Sequence, residues 1–336
     1  MMNKTSCGIT FLIISVLAFF LLFSIYFKSN EEPINPDLIP VTIALDWTPN
    51  TNHTGLYVAK ELKYFEEEGL SVNILQPPEG SATSLVASGK IQFGIDFQDF
   101  LAPALASKAP LPVKAVAAIV QHNTSGIISK KEKNILSMKE LEFKTYATWD
   151  NPMEHSFLKY LMKKNGANFN NIKLIHATID NVPAALKYDI DCAWGYFGSD
   201  AIAAKLYGVD YNFLPFKDLD NVLDYYAPII IANNEYLKNE PETAKKFLRA
   251  VSKGYEYASE NPENSANILI KTVPGLNKEL IKESQMWVST KYIDDAQSWG
   301  HIDENRWESF FDWLYEENVI DFKIPRGQGF TNEFLM

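Results

Sequence analysis

One stretch near the start of the chain decides the fold: VTIALDWTPNTNHTGLYVAKELKYFEEEGLSVNIL, from Val41 to Leu75. It opens with an apolar run typical of a buried strand and passes through a loop rich in Pro, Asn and Thr. The loop becomes an amphipathic helix that Gly69 ends, and a second apolar run follows. This order predicts a βαβ unit in which Asp46 and Trp47 directly follow the first strand.

The same alternation of strands and helices continues beyond this stretch. Further strands are predicted at residues 91–96, 113–120, 144–148, 172–177, 190–196 and 225–234. Helical patterns, some of them short, separate most of these runs. Such alternation predicts an α/β fold built on parallel sheets. After residue 234 the chain is mostly helical.

Two of the late helices carry apolar stripes at helical spacing. Pro241 marks the start of the first of these helices. The stripe residues are Ala244, Phe247, Leu248, Val251 and Tyr255 in the first helix, and Trp307, Phe310, Phe311 and Leu314 in the second. Stripes of this kind are more typical of core packing than of ligand binding, so we predict that both pack in the core.

The strands divide into two series, which predicts two lobes with a ligand cleft between them. The first lobe is predicted to comprise residues 41–124 and 227–336, with the C-terminal helices, and the second lobe residues 125–226. Residues 31–40, rich in proline and acids, are predicted to form a linker. Because ligands bind at the carboxyl ends of strands in open α/β sheets, Asp46 and Trp47 are expected to face the cleft.

The N-terminus carries a hydrophobic segment, Gly8–Phe27, of 20 residues without a charge. Its length matches the thickness of a bilayer core and exceeds the ~7–15 residues of a signal-peptide core. No small-residue cleavage site follows it, and Cys7 precedes it, which argues against a lipoprotein. Residues 1–30 are therefore predicted to be an uncleaved signal anchor, with a cleaved signal peptide or a buried soluble helix as alternatives.

The composition excludes several classes of protein. The net charge is −11 and no Lys/Arg cluster stands out, so a nucleic-acid surface is not expected. Cys7 and Cys192 lie far apart in the sequence, so a structural disulfide is not expected either. The five histidines are scattered, so no metal site is predicted. His53 and His122 are expected to hydrogen-bond loops, and no catalytic residue is predicted.

Several motifs together resemble one known family. They are LDWTPNTNHTGLYVA (45–59), ASGKIQFGID (87–96), AAIVQHNTSGIIS (117–129), KFLRAVSKGYEYASENPENSA (246–266) and GFTNEFL (329–335). They resemble the NMT1/THI5-like family of periplasmic binding proteins, and above all its binding proteins for formylaminopyrimidine, a precursor of the thiamine pyrimidine. The resemblance implies a two-lobed, type II periplasmic binding protein fold that delivers a small heterocycle to an ABC importer.

The same family includes thiamine pyrimidine synthases, which carry pyridoxal phosphate on a lysine, consume one of their own histidines and have a cysteine-rich iron motif. The sequence departs from that pattern. Asp96 stands at the position of the lysine and cannot form a Schiff base, and Phe100 stands at the position of the histidine. The glycine-rich phosphate loop matches ATWDNP, where Trp149 and Pro152 replace glycines, and no cysteine run is present. The resemblance therefore implies a binding protein without a cofactor rather than an enzyme.

A methyl-aminopyrimidine is flat and has a polar edge, so its site needs aromatic faces together with carboxylate or amide groups. The candidate ligand-binding residues follow predicted strand ends or lie at the crossover between the lobes: Asp46, Trp47, Asn50, Asn52, Asp96, Gln121, Trp149, Glu154, Trp194, Tyr196 and Asp200. The aromatic residues would stack on the ring, and the acids would accept hydrogen bonds from its amine.

Several of these candidates have a structural alternative. Trp47 would then cap the sheet, and Asp46 would brace the loop. Trp194 and Tyr196 share a strand face, so one or both either stack on the ligand or pack in the core. Glu154 would be an acid of the first helical turn, favoured there by the helix dipole.

The predicted function is that of a membrane-anchored, extracytoplasmic solute-binding protein that closes around a thiamine pyrimidine precursor. Its predicted partners are the small heterocyclic ligand, the ABC permease with its ATPase, and the membrane through the N-terminal helix, but no nucleic acid. The alternatives are a pyrimidine-forming synthase, or the same binding fold with riboflavin or a sulfonate as cargo. The acidic candidates argue against an anionic sulfonate, because like charges in a cleft oppose binding.

Overall fold

The structure, a computed structural model, describes residues 37–76, 81–176, 181–188 and 190–335. The predicted signal anchor or signal peptide (1–30) and most of the predicted linker (31–40) lie outside these ranges. Within them, no helix is long and apolar enough to cross a membrane. Pro40–Met336 make up one compact unit.

The strands of the described residues form two five-stranded sheets. In chain order they are β1 (Ile39–Ala44), β2 (Leu70–Leu75), β3 (Phe93–Asp96), β4 (Val113–Ala118), β5 (Ser125–Lys130), β6 (Thr145–Thr148), β7 (Lys173–His176), β8 (Cys192–Tyr196), β9 (Tyr211–Pro215) and β10 (Ile229–Asn233). The first sheet has the order β2-β1-β3-β10-β4 and the second β7-β6-β8-β5-β9. The chain therefore passes from the first sheet to the second at residues 119–124, the first crossover, and returns at residues 216–228, the second crossover.

Helices flank both sheets. In chain order the α-helices of the described residues are α1 (Thr54–Glu61), α2 (Tyr64–Glu67), α3 (Ala82–Ala87), α4 (Gln98–Leu105), α5 (Pro152–Lys164), α6 (Val182–Ala185), α7 (Ile202–Leu206), α8 (Phe216–Leu219), α9 (Asn234–Asn239), α10 (Pro241–Glu260), α11 (Pro262–Thr272), α12 (Lys278–Val288) and α13 (Glu304–Glu316). Proline occupies the first turn of α10, as predicted from Pro241.

Both sheets are mixed, so the prediction of parallel sheets was wrong in this respect. In the first sheet β1 is parallel to β3, but β10 is antiparallel to both β3 and β4. In the second sheet β6 is parallel to β7 and β8, but β5 is antiparallel to β8 and β9. The chain enters β5 and β10 from the crossovers, so no βαβ connection sets their direction. A buried apolar strand has the same sequence pattern in either direction, and the pattern therefore could not reveal this.

The single helix predicted between β1 and β2 is in fact two helices, α1 and α2. Lys63, which separates them, has a left-handed backbone with φ of 65°. A non-glycine residue in this region interrupts the regular helical hydrogen bonds and turns the chain. Gly69 follows α2 with φ of 76°, which is the role in ending the helix that the sequence predicted.

Helix α10 packs closely on α1 through small residues. The predicted stripe of α10 is buried throughout: Ala244, Phe247, Leu248, Val251 and Tyr255. A Cβ atom on Gly254 would lie 2.1 Å from the carbonyl oxygen of Gly55, so only glycine permits this approach. The ring of Phe247 stacks on Phe93 of β3, with centroids 4.0 Å apart. The predicted core packing of this stripe is confirmed.

Helix α13, near the C-terminus, packs against the second crossover and against α5. Its predicted stripe is also buried, which confirms core packing: Trp307, Phe310, Phe311 and Leu314. Phe310 stacks on Tyr225 of the second crossover, with centroids 4.4 Å apart and planes at 14°. Trp313 meets Phe157 of α5 at 5.3 Å between centroids.

Candidate functional site

Asp46 lies just after β1 and is held in place by His53. The Nε2 atom of His53 lies 2.7 Å from Asp46 Oδ1, and its Nδ1 accepts the Asn50 backbone N–H at 3.1 Å. Because Nδ1 is an acceptor, the neutral ring carries its hydrogen on Nε2 and donates it to Asp46. His53 is fully buried, so this hydrogen bond directs the Asp46 carboxylate. The predicted loop hydrogen bonding of His53 is confirmed.

The loop that follows β1 is braced by its own amides. Asn50 accepts the Asn52 backbone N–H at 2.9 Å, and its Nδ2 donates to the Thr48 carbonyl at 3.0 Å. The Asn52 carbonyl accepts a hydrogen bond from the Tyr255 hydroxyl at 2.7 Å. Trp47, in contrast, is 60% exposed. The loop therefore uses Asn50 as a cap and presents the Trp47 indole to solvent.

Asp96 ends β3, the strand that pairs with β1. Its buried carboxylate accepts hydrogen bonds from the Thr83 hydroxyl and, at 2.8 Å, from the Phe97 backbone N–H. Burial raises the pKa of Asp96 to about 6, against the effect of these two hydrogen bonds. The Asp46 carboxylate also raises this pKa. Asp46 and Asp96 are thus electrostatic neighbours, as expected for the ends of adjacent parallel strands.

Asp99, in the first turn of α4, is a further buried carboxyl group. It is 6% exposed, and its Oδ1 has no hydrogen-bond partner among the described residues. The pKa of Asp99 is raised to about 7, chiefly by burial and next by the Asp96 carboxylate, while hydrogen bonds from the backbone and from Tyr225 partly oppose the rise. Neither Asp99 nor Tyr225 was among the predicted site residues. The three-residue spacing from Asp96 was the available signal, since it places both acids at the junction where β3 ends and α4 begins.

The second sheet contributes Tyr196 and Asp200, at and just beyond the end of β8. The Tyr196 backbone N–H donates to Asp200 Oδ2 at 2.8 Å, and burial raises the pKa of Asp200 to about 6. Burial raises the pKa of the Tyr196 hydroxyl, and the carboxylates of Asp99, Asp46 and Asp200 raise it further. The Tyr196 ring also lies 6.3 Å from the Phe97 ring, between centroids. Tyr196 therefore reaches from the second sheet to the acids of the first.

Asp46, Asp99 and Asp200 all act on the Tyr196 hydroxyl, and Asp96 neighbours the first two of them. We call these four acids the carboxylate cluster: Asp46, Asp96, Asp99 and Asp200. Asp96 and Asp99 resist full ionisation, because both are buried and a neighbouring carboxylate disfavours a second negative charge. A ligand that brings positive charge or several N–H donors relieves this repulsion, whereas a phosphate or sulfonate adds to it. No group of three His, Cys, Asp or Glu suited to a metal ion occurs in the part of the chain that the structure describes.

Glu154 lies apart from these contacts, in the first turn of α5. It is 2% exposed and accepts hydrogen bonds from the hydroxyls of Tyr146 and Thr148, both at 2.7 Å. The Trp149 backbone N–H also donates to it, at 3.0 Å. These bonds tie the start of α5 to β6. The structure thus places Glu154 as a brace, and its contact with a ligand stays a prediction.

Trp194 and Trp149 are neighbours with different exposure. Trp194 is 4% exposed and packs against Phe216 and Phe157, with ring centroids at 4.3 and 5.4 Å. Trp149 lies 6.0 Å from Trp194 but is 41% exposed. Trp194 therefore sits in the core of the second sheet, which was its structural alternative, while Trp149 offers an accessible ring.

Gln121 lies on the first crossover, where the sequence placed it. It is buried, and its Nε2 donates to the His301 carbonyl at 3.1 Å. Its own backbone carbonyl accepts a hydrogen bond from the Arg306 guanidinium. These bonds tie the crossover to the segment that leads into α13. A contact between Gln121 and a ligand stays a prediction.

Comparison with known proteins places the chain in a family. A family model described as NMT1/THI5 like matches residues 50–265. The chain belongs to the NMT1/THI5-like family. A formylaminopyrimidine-binding protein of Halalkalibacterium halodurans is 29% identical to it over 330 residues, which cover 96% of this chain and 98% of that protein. A 4-amino-5-hydroxymethyl-2-methylpyrimidine phosphate synthase of Legionella pneumophila is 23% identical over 299 residues, 88% of this chain and 92% of that protein.

Solved structures share the fold of this NMT1/THI5-like protein. The periplasmic aliphatic sulphonate binding protein SsuA of Escherichia coli has a TM-score of 0.68 at 16% identity, over 87% of this chain and 97% of that one. An identity this low shows the fold alone. The two mixed sheets and their flanking helices match the fold of a periplasmic binding protein. This confirms the predicted α/β periplasmic binding protein fold.

Pyridoxal phosphate, which the likeness to the synthases would imply, does not fit the residues of this NMT1/THI5-like protein. Asp96, at the position predicted to match the cofactor lysine, is a carboxyl group hydrogen-bonded to Thr83 and cannot form an imine. The neighbouring acids Asp46 and Asp99 would also repel a phosphate group.

Proposed function

We propose that this NMT1/THI5-like protein is the solute-binding component of an ABC importer and binds a thiamine pyrimidine precursor of the formylaminopyrimidine or hydroxymethylpyrimidine type. The carboxylate cluster carries the proposal, because acids from both sheets meet at Tyr196. An aminopyrimidine offers an exocyclic amine and a basic ring edge, which suit a site rich in acceptors. The formylaminopyrimidine-binding relative supports this ligand class.

Binding by closure of two lobes follows from this arrangement. The proposed lobes are residues 41–124 with 227–336, and residues 125–226, and the two crossovers act as the hinge. A ligand that touches Asp46 on one side and Tyr196 on the other makes all its contacts only when the lobes are closed. It therefore shifts the population toward the closed form, which is the form that a permease would recognise.

Aromatic rings would supply the stacking surface for the flat ligand. Trp47 and Trp149 are exposed side chains near predicted site residues, and Tyr196 lies beside the acids. A micromolar Kd corresponds to about −8 kcal/mol. One stacked ring and several hydrogen bonds to charged acceptors are of a size to provide this.

The proposed place of action is outside the cytoplasm, with the N-terminal hydrophobic segment Gly8–Phe27 as membrane anchor. An anchor of this kind keeps the binding protein near the permease and its ATPase and raises its effective concentration there. Protease treatment of intact cells would test this placement, because an extracytoplasmic chain is cleaved while the membrane stays closed.

Two other functions have some support. The synthase relatives favour a pyrimidine-forming enzyme, but Asp96 in place of the cofactor lysine opposes it. A sulfonate is the cargo of a solved structure that shares this fold, but the carboxylate cluster opposes an anion. Riboflavin, which is flat and uncharged, suits the same aromatic surface and is the cargo to test beside the pyrimidine.

Calorimetry on the full-length chain in detergent micelles tests the proposal. We expect saturable binding of formylaminopyrimidine at micromolar Kd or tighter, and a loss of about tenfold or more in Trp47→Ala, since one stacked base is worth roughly 1–3 kcal/mol. Tyr188→Ala, which removes another exposed aromatic ring, is the matched control and should bind like the wild type.

The other outcomes separate the alternatives. Riboflavin binding without pyrimidine binding would keep the fold and the closure but replace the cargo. Tight binding of pyridoxal phosphate would contradict the reasoning from Asp96 and favour the enzyme.

A further inference from the structure

Asp99 is a buried side chain with incomplete hydrogen bonding. Its Oδ1 has no hydrogen-bond partner among the described residues, although only 6% of the residue is exposed to solvent. Buried polar atoms in folded proteins nearly always have a partner. An acceptor left open beside the Asp96 carboxylate marks the point where a donor from a ligand would complete the bonding.

The groups around Asp99 come from separate elements. Asp96 of β3 faces it within electrostatic reach, Tyr225 approaches from the second crossover, and Tyr196 approaches from β8. Tyr225 is buried and stacked on Phe310, and its hydroxyl lies close enough to the Asp99 carboxyl to lower the pKa of that group, but Oδ1 still has no hydrogen-bond partner among the described residues. The position is thus enclosed by one acid and two phenols, and a ligand is left to supply the missing donor.

The protonation state of Asp99 determines which ligand group it accepts. An ionised carboxylate only accepts hydrogen bonds, whereas a protonated carboxyl also donates one. Burial and the Asp96 carboxylate raise the pKa of Asp99 to about 7, so both forms are populated near neutral pH. An exocyclic amine donates more strongly to the ionised form, which carries the negative charge, and a ring carbonyl requires the protonated form.

We propose that Asp99 is a specificity-determining residue that selects an amino-substituted ring over an oxo-substituted one by accepting the ligand's N–H on its open Oδ1. The inference rests on the proposed function, because it deepens the recognition of a pyrimidine in the same site. When the amine binds, the carboxyl O–H bond of Asp99 breaks, the proton passes to solvent, and a hydrogen bond from the amine takes its place. Selectivity for the amine therefore increases with pH.

The experiment is calorimetry of the full-length chain with formylaminopyrimidine and with the matching 4-oxo pyrimidine, at pH 6, 7 and 8. Two buffers with different ionisation enthalpies are used at each pH, so that proton release is counted directly. We expect up to about half a proton to be released per amino ligand at pH 7 and about half a proton to be taken up per oxo ligand, because about half of the Asp99 carboxyls are ionised at a pH equal to their pKa. The amino-to-oxo affinity ratio should rise by about tenfold to a hundredfold from pH 6 to pH 8, because the protonated fraction of Asp99 falls about tenfold and its ionised fraction rises about tenfold.

Asp99→Asn, which keeps the shape of the side chain, should abolish the proton release and make the affinity ratio independent of pH. Asp218→Asn, at an exposed acid, is the matched control and should leave both unchanged. The proton count on the unaltered protein needs no variant, so it tests the inference even if Asp99→Asn does not fold.

The outcomes separate this inference from the proposed function. If the amino-pyrimidine binds without proton release, the role of Asp99 is overturned, but the proposed function is not affected. The same holds if the amino-to-oxo affinity ratio of Asp99→Asn depends on pH as it does in the wild type. Failure of both pyrimidines to bind overturns the proposed function and this inference with it.

Discussion

At the scale of single residues, burial and like charge give ordinary aspartates unusual properties. Asp96 and Asp200 both have a pKa raised to about 6, and Asp99 to about 7, with burial as the largest cause in each. Desolvation disfavours the ionised form, and a neighbouring carboxylate adds to the effect at Asp96 and Asp99. Acids arranged in this way are costly for stability and therefore point to a role in binding.

This cost predicts a pH-dependent stability difference at Asp99. Its folded pKa of about 7 lies above the unfolded value near 4, so the native state holds a proton that the unfolded state has lost between these values. The contribution of Asp99 to the free energy of unfolding is therefore complete below the unfolded pKa. It decreases by about 1.4 kcal/mol per pH unit between the two pKa values and is lost once the pH has risen through 7. Asp99→Asn should therefore gain about 2–3 kcal/mol relative to the wild type between pH 5 and pH 8.

Urea unfolding of both proteins at several pH values measures this difference. Asp218→Asn, at an exposed acid, should show no such trend. A constant difference between Asp99→Asn and the wild type across the range would contradict the raised pKa.

At the scale of elements, the contact between α1 and α10 holds the first loop against the C-terminal helices. Gly254 allows α10 to approach the Gly55 carbonyl oxygen, and the next residue, Tyr255, donates its hydroxyl to the Asn52 carbonyl at 2.7 Å. The loop that presents Trp47 is therefore positioned by a helix that lies more than 200 residues further along the chain. Packing of α10 and the geometry of the site are coupled through this contact.

Gly254→Ala should destabilise the protein, although alanine is the better helix former. The added Cβ would lie 2.1 Å from the Gly55 carbonyl oxygen, so the helices must separate, at a cost of about 1–3 kcal/mol. The midpoint of thermal unfolding measures the loss. Ser252→Ala on the same helix is the control and should change it little, and a stabilised Gly254→Ala would show that the helices are not in close contact.

At the scale of the whole molecule, the two crossovers are bonded to each other. In the first crossover Asn123 donates its backbone N–H to Asp224 Oδ1 at 2.9 Å. The ring of His122 has Nδ1 at 2.6 Å from Asp224 Oδ2 and Nε2 at 3.0 Å from Asp295 Oδ1. Since both ring nitrogens face carboxylates, the protonated imidazolium satisfies both. The hydrogen bond to Asp224 raises the pKa of His122, and burial partly opposes this.

His122→Asn should therefore destabilise the protein mainly at lower pH. With a folded pKa above the unfolded value of about 6.5, the stabilisation is complete below that value and disappears as the pH rises through the folded pKa. We expect a loss of about 1–3 kcal/mol at pH 6 that shrinks toward pH 9. Urea unfolding measures it, and His176→Asn, at an exposed histidine, is the control. An equal loss at both pH values would mean that the charge of His122 is unimportant.

Much of the molecule could be predicted from local patterns. The stripes of α10 and α13 follow helical spacing, and a residue's position in such a stripe decides whether it faces the core. The closeness of Asp46 to Asp96 follows from the rule that the carboxyl ends of parallel strands lie at the same edge of a sheet. The loop role of His53 was also expected. These features depend on residues close in sequence or on the order of elements.

Other features required the tertiary structure. The direction of β5 and β10 depends on the crossovers that lead into them. The apolar pattern of the sequence did not predict β5 or β9 as strands. The left-handed backbone at Lys63 divides into two helices a segment that the sequence pattern predicts as one. Trp194 and Trp149 have the same chemistry, but only packing decides that one is buried and the other accessible.

The sequence by itself determined the family, the class of fold and the strand ends that carry polar residues, because these are written in local spacing and in motifs. Only the tertiary structure decided that Asp99 joins Asp46, Asp96 and Asp200, and that its Oδ1 is left without a partner in the described residues. The physical reason is that desolvation and Coulomb repulsion depend on distances in space. Residues far apart along the chain set those distances, and no local pattern records them.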